Sequence, residues 1–449
     1  MTVTGNINAP VAAPQKTQIV VVGGGAGGLE LVTRLGRRFG REEYDIILLE
    51  RNSSHIWKPL LHEVAAGSLD ANLDEVGYRG HGHVHKYRFF LGTLKDIDRE
   101  SRQVIVAPIL DEMGDEIMGE HRIRYDYLVI AVGSIANDFG VKGVADHCLF
   151  LESRAEADKF RQKLLNNCLR VSRTMMAAPG LEADVEVAIV GGGATGVELA
   201  AELYNAASAL KHYGLEVFDE QRLKVTLLEA GDRILPALPE HVSQAAHYEL
   251  EALGVSVCTN AQVIQVTEDA MHLKDGRVIP AALRVWAAGV KAPDFLKDIS
   301  GLETNRNNQV MVRPTLQSAD DERIFAIGDC AFFLPEGAER PIPPRAQSAH
   351  QMADTVFKNI CAMIKGKSLK PFVYRDRGSL VSLSRFSAIG TLMGNLVGGK
   401  MSVEGRAARI MYVSLYRMHL LAIHGWLRGT FMIIVAKVNQ VVRPKLKFH

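Results

Sequence analysis

The alternation of apolar and polar positions sets out one pattern twice, about 168 residues apart. The runs Gln18-Ile-Val-Val-Val and Val185-Glu-Val-Ala-Ile-Val are β-branched and of strand length, which favours strands buried on both faces. Each breaks into a glycine-rich turn, carrying Gly23, Gly25 and Gly28 in the first copy and Gly191, Gly193 and Gly196 in the second. Each turn runs into helical periodicity, over Leu29–Phe39 and Val197–Leu210. A second strand closing on an acid follows each helix: Tyr44–Glu50, with Glu50 22 residues past Gly28, and Leu223–Glu229, 33 residues past Gly196. The longer second gap predicts a helix extended through 204–221. Further apolar runs return at Tyr125–Ser134, Leu283–Gly289 and Arg323–Asp329.

Strand, G-x-G-x-x-G, helix, strand and terminal acid form the dinucleotide-binding unit. Glycines let the backbone approach a pyrophosphate at a helix N-terminus, and the carboxylate receives a ribose diol. Three glycines at fixed offsets occur by chance about 0.3 times in a chain of this composition, so one match is weak and two in full context are strong. Two separate dinucleotide folds are expected, because each half is completed by its own later strands. Asp329, ending a strand before a helix start, reads either as an N-cap or as a ligand for a sugar-like hydroxyl chain.

Composition narrows the chemistry. The 449 residues carry 52 Lys and Arg against 51 Asp and Glu. That even balance argues against nucleic acid as a partner. The five cysteines, Cys148, Cys168, Cys258, Cys330 and Cys361, are scattered and form no C-x-x-C. They point to a reducing compartment and to no metal cluster. Nothing at the N-terminus reads as a signal peptide, and residues 1–15 read as a disordered lead-in.

With these motifs the chain resembles the two-dinucleotide-binding-domain flavoproteins. Lys58-Pro-Leu-Leu-His-Glu-Val-Ala-Ala-Gly67, Val285-Trp-Ala-Ala-Gly-Val290 and Pro343-Pro-Arg-Ala-Gln-Ser-Ala-His-Gln351 are similar, within that group, to the type II NADH:quinone oxidoreductases. The resemblance implies FAD in the first fold, at Gly23, Gly25, Gly28, Glu50, Arg51, Lys58, Ala131, Gly133, Gly328 and Asp329. It implies NADH in the second, at Gly191, Gly193, Gly196, Glu229, Ala288 and Gly289. Ala230 and Gly231 after Glu229 leave no adjacent Arg for a 2′-phosphate, which favours NADH over NADPH, with Arg233 as weak counter-evidence. Gln347 and Gln351 are implied to line a quinone pocket, although their i, i+4 spacing alone also fits a solvated helix face. Glu198 is implied to handle protons, where a carboxylate could also simply stabilise the helix start. Arg377 stands where many relatives have Lys. Cys330, His350 and His62 read as structural, and the missing dithiol disfavours a thiol relay.

Residues 401–449 hold eight basic side chains and one acid, a segment charge of +7 that leaves −6 for residues 1–400. One amphipathic helix is expected over 406–428, with Arg406, Arg409, Arg417, His424 and Arg428 on a basic stripe. Ile410, Met411, Leu415, Met418, Ile423 and Trp426 lie opposite. No run of 18 apolar residues supports a spanning helix, so the segment reads as an interfacial helix on an anionic lipid surface. Its apolar face could equally serve a homodimer.

The expected fold class is therefore α/β, with two Rossmann-like dinucleotide-binding domains, the second nested in the first, and a C-terminal membrane-associating helical segment. The expected spans are 16–150 and 305–370 for FAD and 151–304 for NADH, with a connecting helix at 151–184, and 371–449 for membrane interaction. The expected activity is NADH oxidation and reduction of a membrane quinone at the cytoplasmic face of the inner (cell) membrane. Two other readings are a soluble reductase of a small iron–sulfur protein and an NADH-sensing scaffold.

Overall fold

A computed structural model describes residues 16–40, 44–69, 71, 75–111, 113–178, 182–210, 220–383, 388–394 and 399–442. The expected disordered lead-in and the basic tail from Arg443 lie outside the described residues. Strand β1 (Thr17–Val22) leads into α1 (Ala26–Phe39) and β2 (Tyr44–Glu50). Two short helices follow, α2 (Leu61–Ala66) and α3 (Tyr78–His85), then β3 (Arg88–Leu91) and β4 (Tyr127–Ile130). Helix α4 (Arg154–Ala177) opens with a reciprocal capping box between Ser153 and Glu156 and leads into the second copy of the pattern. That copy comprises β5 (Val185–Val190), α5 (Ala194–Leu210), β6 (Leu223–Leu228), α6 (Glu240–Leu253), β7 (Ser256–Cys258) and β8 (Leu283–Trp286). The chain then returns through β9 (Ile324–Ala326) and α7 (Ala346–Ile364). It ends in β10 (Gly378–Ser382), β11 (Ala388–Gly394), β12 (Gly399–Glu404), α8 (Gly405–His424) and α9 (Trp426–Val442).

The first sheet is parallel, in the order β9-β4-β1-β2-β3. Ile19, Val21, Ile46 and Leu48 face one core with Leu29, Val32 and Leu35 of α1 and Ala353 and Val356 of α7. Val20, Val22, Ile47 and Leu49 face the other, with Leu94, Val104 and Val106 of an antiparallel meander. That two-sided burial explains the unbroken apolar runs, since a period of two assigns successive residues to opposite faces. The second sheet, β7-β6-β5-β8, is also parallel and is likewise accompanied by a three-stranded meander. Two α/β units of one design therefore stand in one chain, the second inserted between β4 and β9 of the first. Of the helix expected through 204–221, residues 204–210 are helical in α5, residues 211–219 lie outside the described residues, and residues 220–222 form a 3-10 turn.

The C-terminal region departs further from expectation. Strands β10, β11 and β12 form an antiparallel sheet that the apolar pattern did not announce. The single helix expected over 406–428 is two helices, broken at Gly425, whose φ of +83° lies in the left-handed region that glycine tolerates. Helix α8 does not lie free. Ile423 and Leu420 are buried in the first core, so Ile423 belongs to the body and not to an outer apolar face. His424 leaves the basic stripe as well, because burial lowers its pKa and Arg37 and Arg428 repel a further charge there. Exposed apolar side chains line α9, at Trp426, Leu427, Phe431, Ile434, Val435 and Val438, and Ile410 and Met418 of α8 are exposed as expected. No helix among the described residues is long and apolar enough to cross a membrane.

Candidate active site

The two glycine turns are built alike at all three motif glycines. Gly23 and Gly191 sit at φ of +101° and +110°, and a Cβ on Gly28 or Gly196 would lie 1.9 or 2.0 Å from the carbonyl oxygen of Gly23 or Gly191. The third glycine thus lets each helix pack onto its own strand. Gly25 and Gly193, in contrast, have no heavy atom within 4 Å of a would-be Cβ, so the middle of each turn faces open space. That is the cradle a pyrophosphate needs, set at the N-terminal ends of α1 and α5.

The two strand-terminal acids hold their glycine turns in the same way. Glu50 Oε2 accepts from the Gly24 N–H at 2.7 Å, and Glu229 Oε2 accepts from the Gly192 N–H at 2.7 Å. The second oxygen of Glu50 takes the backbone and side-chain N–H groups of Asn52, and that of Glu229 takes the Gly231 N–H at 2.7 Å. Arg51 beside Glu50 is exposed. Arg233 is committed to the carbonyls of Pro236 and Leu238, each at 3.1 Å, which weakens it as a receptor for a 2′-phosphate.

Around the first cradle, Asp329 follows β9 and accepts from the Ser134 hydroxyl at 2.7 Å. Lys58 Nζ donates to the Ser134 carbonyl at 2.9 Å, joining the Lys58–Ala66 segment to the Ala131-Val-Gly133-Ser turn. Ala131 is buried against Gly23, while Gly133 (φ +72°) and Gly328 (φ +73°) shape the turns beside it. In the second unit Ala288 and Gly289 follow β8, and Gly289 lies under the Phe139 ring.

Both glutamines project from the first turns of α7 onto the segment before β10. Gln347 donates to the Gly378 carbonyl at 2.9 Å and to Asp376 Oδ1 at 3.3 Å, and accepts from the Arg377 N–H. Gln351 pairs with both backbone groups of Arg375, each at 2.9 Å. Two protons per amide nitrogen leave Gln347 with none to spare and Gln351 with one. Arg377 contributes its N–H here, and its side chain is exposed.

Glu198, just past the first turn of α5, is buried. Its Oε1 accepts from the Ser382 N–H of β10 at 3.0 Å, and its Oε2 lies 3.5 Å from His62 Nδ1 of α2. Burial raises its pKa, against the pull of His62, Ser382 and the Tyr412 hydroxyl from α8. Glu63 raises it further. His62, expected to be structural, is therefore in direct contact with the one buried acid expected to carry chemistry. Ser382 and Tyr412 were missed altogether.

Histidines also fill the seam between α8 and the first unit. His55 Nε2 meets His419 Nε2 at 3.0 Å, and Trp57 stacks on His419 with centroids 4.1 Å apart. His350, read as structural, pairs with Glu30 and stacks on Trp57. His81, His85 and His424 bring ring nitrogens within 4.8 Å of one another. His81 is already bonded to the Ile423 carbonyl and the Tyr87 hydroxyl, and His85 to the Arg37 guanidinium, so the cluster is a hydrogen-bonded seam with a cation built in. Burial pushes the thiols of Cys148 and Cys168 up to about 12 and that of Cys330 up to about 11, which holds them protonated and unreactive.

Residues 17–353 match the family model described as pyridine nucleotide-disulphide oxidoreductase. A type II NADH:quinone oxidoreductase from Haemophilus influenzae is 46% identical over 442 residues, covering 96% of this chain and 99% of that protein. The corresponding enzyme from Staphylococcus aureus is 29% identical, covering 86% and 92%. Among solved structures, NDH2 from Plasmodium falciparum in complex with NADH superposes with a TM-score of 0.79 at 19% identity, over 96% of this chain and all of that one.

Proposed function

The chain belongs to the pyridine nucleotide-disulphide oxidoreductases and, within them, to the type II NADH:quinone oxidoreductases, and on that footing we propose how its own residues carry the reaction. The enzyme oxidises NADH and reduces a quinone. FAD, when bound, would supply the two-electron redox chemistry that links NADH to the quinone. The carrying observation is the doubled cradle, with Glu50 and Glu229 each fixing a glycine turn through one backbone N–H at 2.7 Å.

We assign the first unit, spans 16–150 and 305–370, to FAD. Gly23, Gly25 and Gly28 admit its pyrophosphate to the start of α1, and Glu50 receives a ribose. Ala131, Gly133, Gly328 and Asp329 border its far end, where the Asp329 carboxylate can take a hydroxyl in exchange for that of Ser134. Arg51 and Lys58 supply cationic edges. The second unit, within 151–304, holds NADH in the same manner through Gly191, Gly193, Gly196 and Glu229, with Ala288 and Gly289 beside the nicotinamide. Glu198 stores a proton beside the reacting centre. Of the two glutamines, Gln351 keeps the free donor and is the quinone contact, while Gln347 positions the 376–378 segment.

Residues 371–449 serve contact with the membrane. The exposed apolar stripe of α9, with Arg428 and the following basic tail, suits an anionic lipid surface. About 1 kcal/mol per basic residue near such a surface holds the protein reversibly. NADH is charged and does not cross lipid, which puts the working face on the cytoplasmic side of the cell membrane. The same stripe would pair two copies in the absence of lipid. Sedimentation with and without vesicles separates these uses.

The activity is tested by mixing FAD-loaded enzyme with NADH and a short-chain ubiquinone. One quinol should form per NADH consumed, and NADPH should serve at least tenfold less well. NADH consumption without quinol would contradict the reading.

A further inference from the structure

The reaction forms one quinol from one quinone, two electrons and two protons. NADH supplies both electrons and one proton as hydride, so the second proton comes from solvent, and a buried acid near the reacting centre can hold it until the quinone takes it. Glu198 is the buried acid at the place where both nucleotide units and the C-terminal sheet meet. Its two oxygens face different elements, with the Ser382 N–H on one and His62 Nδ1 on the other. Behind Nδ1, the far ring nitrogen of His62 is buried and has no hydrogen-bond partner among the described residues. A desolvated polar atom of that kind is costly, and a catalytic role is one of the reasons a fold retains one. The Tyr412 hydroxyl approaches the same carboxylate from α8, whose neighbours Ala408 and Tyr416 pack with Trp57, Ala26 and Ala346 around the first cradle.

We propose that Glu198, His62 and Tyr412 form one proton relay, in which the imidazole accepts a proton at Nε2, releases Nδ1–H to Glu198, and Tyr412 delivered by α8 completes the hydrogen-bonding shell. The proposal rests on the functional reading above and adds two residues to it. His62 and Tyr412 act through Glu198 and are positioning residues. An imidazole is suited to the task because its two nitrogens exchange donor and acceptor roles when a proton passes through. The 3.5 Å separation from His62 to Glu198 is longer than a formed hydrogen bond, as apo catalytic contacts commonly are before ligands draw them together. Tyr412 also ties the relay to the lipid-facing end of the chain, since α8 runs directly into α9 through Gly425. An enzyme whose α8 is undocked would lose part of its proton store.

The charged and titratable groups facing Glu198 are His62 and Glu63 from α2 and Tyr412 from α8, and their effects differ in sign. Infrared titration of the full-length FAD-loaded enzyme reads the protonated-carboxyl stretch of Glu198, identified by its loss in Glu198→Gln. His62→Gln and Tyr412→Phe each remove a group that favours the carboxylate, so the midpoint should rise by about one pH unit in both. Glu63→Gln removes a like charge and should lower it. In the same variants, re-oxidation of NADH-reduced enzyme by a short-chain ubiquinone should slow about tenfold with His62→Gln, and its pH profile should move with the infrared midpoint. Midpoints and pH profiles equal to wild type in both His62→Gln and Tyr412→Phe would overturn the relay. Should His62→Gln fail to fold, Tyr412→Phe decides alone, because it removes one oxygen and keeps the ring. Wild-type enzyme unable to pass electrons from NADH to quinone would overturn the functional reading instead, while the infrared titration judges the relay without turnover.

Discussion

Glu50 and Glu229 hold equivalent places, and each is poised so that one oxygen fixes the glycine turn and the other accepts from the segment that follows the acid. Losing a charge-assisted hydrogen bond of this kind costs about 1.5–3 kcal/mol. Glu50→Ala should therefore weaken FAD retention by roughly 10- to 100-fold, read by flavin absorbance after gel filtration. Glu229→Ala should raise KM for NADH by a similar factor and leave flavin content at the wild-type level; loss of flavin there would assign the two units wrongly. Gly196→Ala tests the packing of the turn. Its Cβ would sit 2.0 Å from the Gly191 carbonyl oxygen, so the helix must shift, and a loss of about 1–3 kcal/mol in urea unfolding is expected. The acids and glycines were legible because strand, turn and helix constrain them within a few dozen residues. His62, Ser382 and Tyr412 were not, since they reach Glu198 from 136, 184 and 214 positions away in the chain, and local periodicity holds no record of that meeting.

At the scale of elements, α8 and α9 divide what the charge pattern had joined. Arginine spacing alone could not show the division, because it does not report which face of α8 finds a core; Ile423 and His419 are buried where an amphipathic reading alone leaves Ile423 on the outside. Truncation after Gly425 should abolish vesicle binding while NADH oxidation with a water-soluble quinone persists within about twofold. Truncation before Gly405 should cost fold stability as well, since it removes Tyr412, His419 and Leu420 from the interior. The histidine seam gives α8 a further property. Burial pushes His55 down to about 4, His81 to about 3 and His85 to about 4. Each is neutral in the fold and titrates near 6.5 when unfolded, so the unfolded chain binds more protons between those values. Stability is full above pH 6.5 and falls as pH drops toward 4, by about 3 kcal/mol for His55 alone. Thermal unfolding followed across this range should show the melting temperature descending with acid, and a flat profile would deny the seam its role.

The whole molecule is two copies of one nucleotide-binding design, a C-terminal sheet that closes over Glu198, and a last helix, α9, that exposes an apolar stripe and Arg428. The doubled design was plain from apolar runs and glycines, because parallel strands buried on both faces admit few other residues. The sheet of β10, β11 and β12 was hidden because its meaning lies in what it covers and not in its own alternation. Association with anionic vesicles should weaken steeply as salt rises from about 0.05 to 0.5 M, since screening shortens the reach of the basic end; salt-independent binding would leave the apolar stripe of α9 as the only attraction.

The most direct test of the account is anaerobic absorbance of the FAD-loaded protein, with one equivalent of NADH added first and a short-chain ubiquinone second. The account predicts that the flavin band bleaches with NADH and returns in full with the quinone. A band that bleaches and stays bleached would contradict quinone as the acceptor, and a band that NADH leaves untouched would contradict the whole assignment of the two cradles.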